Sequence, residues 1–240
     1  MDQARGLHVQ LLTETSVNYG IGEYAVRKNN AANGTLYAAV VEAAFLIWLE
    51  KNSDIVEMVC YAPLFLNIND KTWTPDAIVF DSYQLYGTPS YWVQKFFIES
   101  SGALFLPTTL KTNSPDSLIA SAISKGYLLT HNNQKEVGLW LSYHVKVPSQ
   151  NQLTMRGIAQ QVVNFGIYHE NLHISINGLK SNVKHFGSKK IVLTSVDSMD
   201  ENSFSKPMKV VPQQVSLENA SKDMNVVLPP YSVTSFDLII

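Results

Sequence analysis

Glu23 is a carboxylate whose place in the sequence would suit a catalytic group. It heads the run EYAV, and a long apolar segment follows at once. A carboxylate at the end of a barrel strand, just before a helix, is where barrel enzymes keep catalytic groups. Hydrolysis of a glycosidic bond uses two such groups, one to protonate the leaving oxygen and one to attack the sugar or activate water. The residues before Glu23 offer no second acid suited to this role, and from spacing alone Glu23 is one exposed glutamate among several.

Glu57 occupies an unusual place for a carboxylate, because it lies inside the apolar run IVEMVCY. An unpaired charge is costly to bury there. Glu57 therefore either points from a strand into a polar site or pairs with a nearby cation. The same run holds Cys60, the single cysteine, which excludes an intrachain disulfide and is expected to be a buried, inert thiol.

Aromatic residues gather around the stretch 67–90. Their faces can stack on sugar rings or pack a loop against the rest of the protein, and the pattern leaves both readings open. They are Trp73, Tyr83, Tyr86, Tyr91 and Trp92.

Other chemistries lack the residues they need. His169 and His173 lie in YHENLHISI, which reads as strand and turn, and no further ligand completes a zinc site nearby. There is no nucleophile elbow for Ser-His-Asp chemistry and no Gly-rich phosphate loop. We therefore expect no cofactor and no metal.

Composition excludes several classes of partner. Hydrophobic residues make up 45% of the 240 residues, enough for one large or two small domains with a real core. The net charge of −2 and the lack of a basic cluster longer than Lys189-Lys190 argue against nucleic acid. No uncharged apolar stretch reaches about 18 residues, so no membrane span is expected. The N-terminal MDQARGLHVQLLTETS lacks the apolar core of a signal peptide, whereas glycosylation sequons at Asn33 and Asn219 give limited support to a secretory route.

The chain has two halves of different texture. In the first, periodicity predicts a buried helix over 34–54, a buried strand over 55–66, a long loop over 67–90 and a second helix over 89–100 with Pro89 in its first turn. This order is typical of an α/β fold. After about residue 103, short strand patterns alternate with turn signals, as in an antiparallel β-sandwich. Those patterns are ALFLPTTL, SLIASAIS, LWLSYHVKV, AQQVVNF, LHISING, KKIVLTS, KVVPQQVSL, MNVVLPP and VTSFDLII.

Long blocks of the chain resemble the plant-type α-L-arabinofuranosidases of glycoside hydrolase family 51. The blocks are GEYAV, EAAFLIWLEKNSDIVEMVCYAPLFLNIND, WTPDAIVFDSYQLYGTPSYWVQKFF, VVNFG, GSKKIVLTS, MDENSFSKPMKVVP and LPPYSVTSFDL. The resemblance implies a (β/α)8 barrel followed by a C-terminal β-sandwich. It implies that Glu23 is the nucleophile of a retaining mechanism, and it makes Tyr24 and Glu57 candidates for substrate binding. The family's acid/base glutamate belongs to an Asn-Glu motif on an earlier strand, and this chain does not carry that motif.

The resemblance divides the chain into residues 1–102, the end of the barrel, and 103–240, the sandwich. Two stretches depart from the family pattern: the residues before Glu23, and an atypical insertion over 125–161. We interpret that insertion as a gene-model error, such as retained intron sequence. A contiguous spliced transcript that encodes it would contradict this interpretation.

Two functions follow as expectations. The first is the C-terminal part of an extracellular or cell-wall enzyme that removes terminal α-L-arabinofuranosyl units from arabinans and arabinoxylans, a step in L-arabinose metabolism. Such a chain is expected to be inactive alone, because the acid/base residue is missing. The second is a non-catalytic β-sandwich module that binds carbohydrate or stabilises a barrel. The sequence leaves the oligomeric state open.

Overall fold

The structure is a computed structural model. It describes residues 8–9, 12–14, 21–27, 31–54, 56, 58–74, 76–112, 116–125, 156–179 and 181–240. Two α-helices lie in the first half, α1 (Leu36–Lys51) and α2 (Pro89–Phe96), with short 3-10 turns at Ile68–Asp70 and Ile98–Ser100. The strands are β1 (His8–Val9), β2 (Leu12–Glu14), β3 (Ile21–Tyr24), β4 (Val26–Arg27), β5 (Met58–Tyr61), β6 (Phe65–Asn67), β7 (Ile78–Phe80), β8 (Leu85–Gly87), β9 (Phe105–Leu106), β10 (Leu118–Lys125), β11 (Gly157–Asn164), β12 (Glu170–Ser175), β13 (Lys184–Leu193), β14 (Gln213–Ser216), β15 (Asp223–Leu228) and β16 (Ser232–Ile239).

Helix α1 is buried on most of its circumference, as its apolar sequence predicts. It begins after Thr35, whose hydroxyl accepts a hydrogen bond from the backbone N–H of Ala38 at 3.2 Å. Both of its glutamates, Glu42 and Glu50, are buried with the apolar residues. No helix within the described ranges is long and apolar enough to cross a membrane.

Strands β3 and β5 form a parallel pair, and α1 connects them. This is the βα arrangement expected for the end of a barrel. The single buried strand predicted over 55–66 was wrong in its extent, since β5 ends at Tyr61 and β6 begins at Phe65. Pro63 lies in the break, and a proline cannot donate a hydrogen bond to a strand ladder.

The stretch 67–90, predicted as a loop, instead contains β7 and β8. With β6 they form a three-stranded sheet whose inner residues Leu66, Val79 and Tyr86 pack on Phe204. The turn-forming residues between AIVF and QLY favoured a loop prediction, although a strand of three residues lies on each side of them. Helix α2 follows with Pro89 in its first turn, as predicted.

The second half is the expected β-sandwich. Six antiparallel strands lie in the order β14-β13-β16-β11-β10-β9, and β12 and β15 form a second layer. Residues that alternate along the central strands face this layer and form one core. They are Leu118, Ala120, Ala122, Ile158, Val162, Phe236 and Leu238, packed with Leu172, Ile174, Met224 and Val226.

The other face of the six-stranded sheet carries the helices. Val163, Leu193 and Val233 pack with apolar residues of α1 and α2 in a second core. Polar groups also cross this boundary: Gln161 Nε2 donates to the carbonyl of Phe96 at 3.3 Å. The central sheet is therefore covered on both sides, which explains why β10, β11 and β16 are buried along almost their whole length.

The predicted insertion 125–161 begins and ends in regular structure. Lys125, the last residue of β10, pairs with Gly157, the first residue of β11, and 157–161 continue that strand. Residues 126–155, including the strand predicted over 139–147, lie outside the described part of the chain.

Candidate active site

Glu23 lies in β3, next to the C-terminal residue of the strand. Its backbone is opposite Cys60 of β5 on the parallel side and Leu12 of β2 on the antiparallel side. In parallel βα units the catalytic residues stand at the C-terminal ends of the strands. The backbone therefore places Glu23 where the sequence predicted a catalytic carboxylate, and its side chain lies outside the described atoms.

Tyr24, the next residue, has its side chain in the core. It is 1% exposed, and its ring packs on Phe45 at 5.1 Å and on Tyr61 at 5.7 Å between ring centroids. Its hydroxyl lies 2.7 Å from Nε2 and 3.0 Å from Oε1 of Gln94, on α2. The expectation that Tyr24 binds substrate gains no support from this position. The contacts instead tie the end of β3 to both helices.

Glu42 shares this buried polar cluster, because Gln94 Nε2 also donates to its carboxyl group. Burial raises the pKa of Glu42 to about 8, against the opposing effect of the Ser90 and Gln94 side chains. Burial, followed by the negative charge of Glu42, also raises the pKa of the Tyr61 hydroxyl. Glu42 is 0% exposed, so it cannot reach a substrate, and the cluster holds the elements that carry Glu23.

Asp76 is a buried carboxyl group that the sequence reading did not single out. Burial raises its pKa to about 6, and the charge of Lys71 opposes this. Among the described residues neither carboxylate oxygen has a hydrogen-bond partner. Its backbone carbonyl accepts from the Thr88 hydroxyl at 2.8 Å, just before α2. A pKa near neutrality suits a general acid, but Asp76 is 1% exposed and so does not contact solvent. The signal for it was an aspartate directly before the apolar run AIVF.

The aromatic residues divide between the two readings left open by the sequence. Trp73 and Tyr83 are exposed, and the guanidinium carbon of Arg27 lies 3.7 Å from the Trp73 ring centroid. Tyr86 instead packs edge-on against Phe204, and Tyr91 packs edge-on against Trp92. Trp73 lies in the loop after β6 with Arg27 over one face of its ring, and Tyr83 lies in the turn between β7 and β8.

The structure adds no support for the other sites considered from the sequence. Glu57 lies outside the described residues. In the part of the chain that the structure describes, no cluster of three or more His, Cys, Asp or Glu side chains could hold a metal ion.

A cavity of about 230 Å³ lies between the C-terminal end of α2 and the six-stranded sheet. There Lys125 is 2.6 Å from Glu99 and 2.8 Å from Asp237, and Lys189 is 3.7 Å from Asp237, so two lysines balance these two carboxylates.

Comparison with known proteins identifies the region around this site. The α-L-arabinofuranosidase C-terminal domain model matches residues 22–232. The chain is 54% identical over 220 residues to Arabidopsis thaliana α-L-arabinofuranosidase 1 and 51% identical to α-L-arabinofuranosidase 2. These matches cover 91% of the chain but only 29% and 28% of the relatives, so the chain spans less than a third of their length. A Streptomyces chartreusis extracellular exo-α-L-arabinofuranosidase is 36% identical over 96 residues, which are 40% of this chain and 11% of that protein.

Solved structures with a similar fold also include an α-L-arabinofuranosidase. The structure of the arabinose-bound MgGH51 α-L-arabinofuranosidase matches 95% of this chain and 33% of its own, with a TM-score of 0.71 and 23% identity. That likeness shows a shared fold, with part of a barrel joined to a sandwich. The family-model match extends over most of the chain, from the strand of Glu23 to the last strand of the sandwich, and the chain belongs to the α-L-arabinofuranosidases, whose C-terminal domain it contains.

Proposed function

We propose that this chain is the C-terminal part of a retaining α-L-arabinofuranosidase in which Glu23 is the nucleophile. The observation that carries the proposal is the place of Glu23 near the C-terminal end of β3, in a parallel βα unit inside the family match. The substrates would be terminal α-L-arabinofuranosyl residues of arabinose-containing polysaccharides. The extracellular relative supports a location outside the cell.

A retaining mechanism needs a second catalytic carboxyl group besides Glu23. In a retaining glycosidase, the nucleophile forms a glycosyl-enzyme intermediate while a second carboxyl group, about 5–5.5 Å away, first donates and then removes a proton. Glu42 and Asp76, two carboxyl groups whose pKa values are raised toward neutrality or above, are buried. The second group would come from the part of the relatives that this chain does not match. The non-catalytic module that we considered is not favoured by the comparisons.

We also propose the division of the chain into a barrel part, 1–102, and a sandwich part, 103–240, with the insertion 125–161. Strand β9 begins at Phe105, just after the proposed boundary. The contacts across that boundary include hydrogen bonds as well as apolar packing, as is common between domains of one chain.

The test is complementation. We expect the 240-residue chain alone to show no turnover of an aryl α-L-arabinofuranoside. Joining residues 22–240 to the preceding portion of the Arabidopsis relative that is 54% identical should restore turnover. In that chimera Glu23→Gln should lower kcat at least about 100-fold, the scale of one positioned catalytic group. Glu218→Gln, an exposed carboxyl group of the sandwich, is the matched control and should leave kcat unchanged.

An active chimera whose rate does not depend on Glu23 would contradict the proposed role of Glu23. Turnover by the 240-residue chain alone would contradict the expected inactivity of the isolated chain.

A further inference from the structure

Two Asn-X-Ser/Thr triplets occur in the described residues, at Asn33-Gly34-Thr35 and Asn219-Ala220-Ser221. This triplet is the acceptor for an N-linked glycan, which is joined to the side-chain amide of the asparagine. A glycan is bulky, so the folded protein accommodates it only where that amide points to solvent and has no structural task. Both asparagines are exposed, and they differ in how the surrounding contacts hold them.

Asn33 is held by three contacts in the turn before α1. Its side-chain Oδ1 accepts from Lys71 Nζ at 2.8 Å, and its Nδ2 lies 3.4 Å from Glu201 Oε1. Its backbone N–H donates to Glu201 Oε2 at 3.2 Å. The third residue of the triplet, Thr35, is buried as the N-cap of α1 and also pairs with Glu201 through its backbone. Asn33 therefore joins the start of α1 to two distant segments.

Asn219 has a different environment, in the turn between β14 and β15. It is exposed, as Asn33 is, while Leu217 and Ala220 in the same turn are buried. The backbone N–H of Ala220 donates to the Leu217 carbonyl at 3.1 Å, which fixes the turn and directs position 219 outward. Its Nδ2 lies 3.5 Å from the carbonyl of Asn225, a weak contact like the 3.4 Å contact of Asn33 Nδ2. Asn33 therefore differs in the 2.8 Å bond of its Oδ1 to Lys71 and in its backbone bond to Glu201.

The turn of Asn219 also lies far from the helices in the layer order. Strand β15 belongs to the two-stranded layer, and the six-stranded sheet separates that layer from α1 and α2. A glycan on Asn219 would project away from the elements that carry Glu23. A glycan on Asn33 would instead stand at the start of the helix that follows β3 and β4.

We propose that Asn219 is an N-glycosylation site of this protein and that Asn33 is not. The inference rests on the extracellular location included in the proposed function, since the modification takes place in the secretory pathway. It does not rest on Glu23 or on catalysis.

The experiment expresses the full chain behind a secretion signal in a eukaryotic host, with Asn219→Gln and Asn33→Gln as matched variants. Peptide-N-glycanase converts a glycosylated asparagine to aspartate, so mass spectrometry of the treated peptides locates each glycan. We expect conversion at position 219 and none at 33. Asn219→Gln should remove the mobility shift caused by the glycanase, and Asn33→Gln should keep it.

A glycan at Asn33, a shift that persists in Asn219→Gln, or the absence of a glycan from position 219 would each overturn the proposal. Because the added signal supplies entry into the pathway, these results do not depend on where the natural protein resides. The proposed activity is measured separately in the chimera, so failure of one proposal can be told from failure of the other.

Discussion

Glu50 is a carboxyl group buried between α1 and the central sheet, with a relative exposure of 1%. Its two oxygens accept hydrogen bonds from the hydroxyl groups of Ser100 and Ser121. Burial raises its pKa from 4.5 to about 7, although both serine hydrogen bonds lower it. The folded chain therefore keeps the proton of Glu50 at pH values where the unfolded chain has lost it.

This difference predicts that the free energy of unfolding falls as pH rises from about 4.5 to about 7, because the unfolded state then binds fewer protons than the folded state. Glu50→Gln keeps the size and polarity of the side chain but removes the titration. Over this pH range the free energy of unfolding of Glu50→Gln should fall by about 1–3 kcal/mol less than that of the parent. Urea denaturation at a series of pH values measures it.

Glu218→Gln, an exposed residue of the turn after β14, is the control and should leave the pH dependence unchanged. Equal pH slopes for the parent and Glu50→Gln would contradict the prediction. Glu42, whose pKa is about 8, makes the free energy of unfolding continue to fall at higher pH. This contribution should be present in both the parent and Glu50→Gln.

For single residues, the sequence predicted the place of a side chain in its helix or strand better than the side chain's burial and contacts. Glu23 could be located because strand, carboxylate and helix are consecutive in the chain. The burial of Glu42 and Glu50 together with their partners could not be predicted, because Gln94 lies 52 positions from Glu42 and Ser121 lies 71 positions from Glu50. Helical periodicity indicates which residues share a face, and it carries no information on what another segment places opposite them.

Helix α1 depends on Thr35 for its first turn, and this gives a prediction at the scale of the element. Thr35→Val keeps the shape of the side chain but removes the hydroxyl that accepts from Ala38 N–H. Loss of an N-cap costs about 0.5–2 kcal/mol. We expect a loss of that size in the free energy of unfolding measured by urea denaturation. Thr35→Ser retains the hydroxyl and should be closer to the parent, so equal losses in the two variants would contradict the capping role.

The strands of the sandwich were predicted individually, but their order in the sheet was not. Periodicity is a local signal, whereas β11 pairs with β10 on one side and with β16, near the end of the chain, on the other. The short strands β7 and β8 were missed for a related reason. Three residues each are too few to show an alternation, and their stability comes from Phe204, far along the chain.

The whole molecule has two cores that meet at one sheet. One lies between the two strand layers, and the other joins α1 and α2 to Val163, Leu193 and Val233 of the sheet. Residues from both sides of the proposed boundary near residue 103 therefore contribute to a single apolar cluster. Removal of the helical part would expose the apolar residues on that face of the sheet, so the two parts should depend on each other for stability.

Mutual dependence predicts that a change in the helix destabilises the sandwich. Leu46 of α1 is fully buried in the shared core, and Leu→Ala at such a site costs about 2–5 kcal/mol. We expect Leu46→Ala to lower the urea midpoint of the sheet signal in far-ultraviolet circular dichroism as much as that of tryptophan fluorescence, recorded in a Trp73→Phe, Trp140→Phe background so that it reports Trp48 and Trp92 in the helices. Leu228→Ala, in the core between the strand layers, is the matched control and should also lower both midpoints together. If Leu46→Ala moved the fluorescence midpoint alone, the sandwich would fold independently of the helices and the shared core would contribute little to its stability.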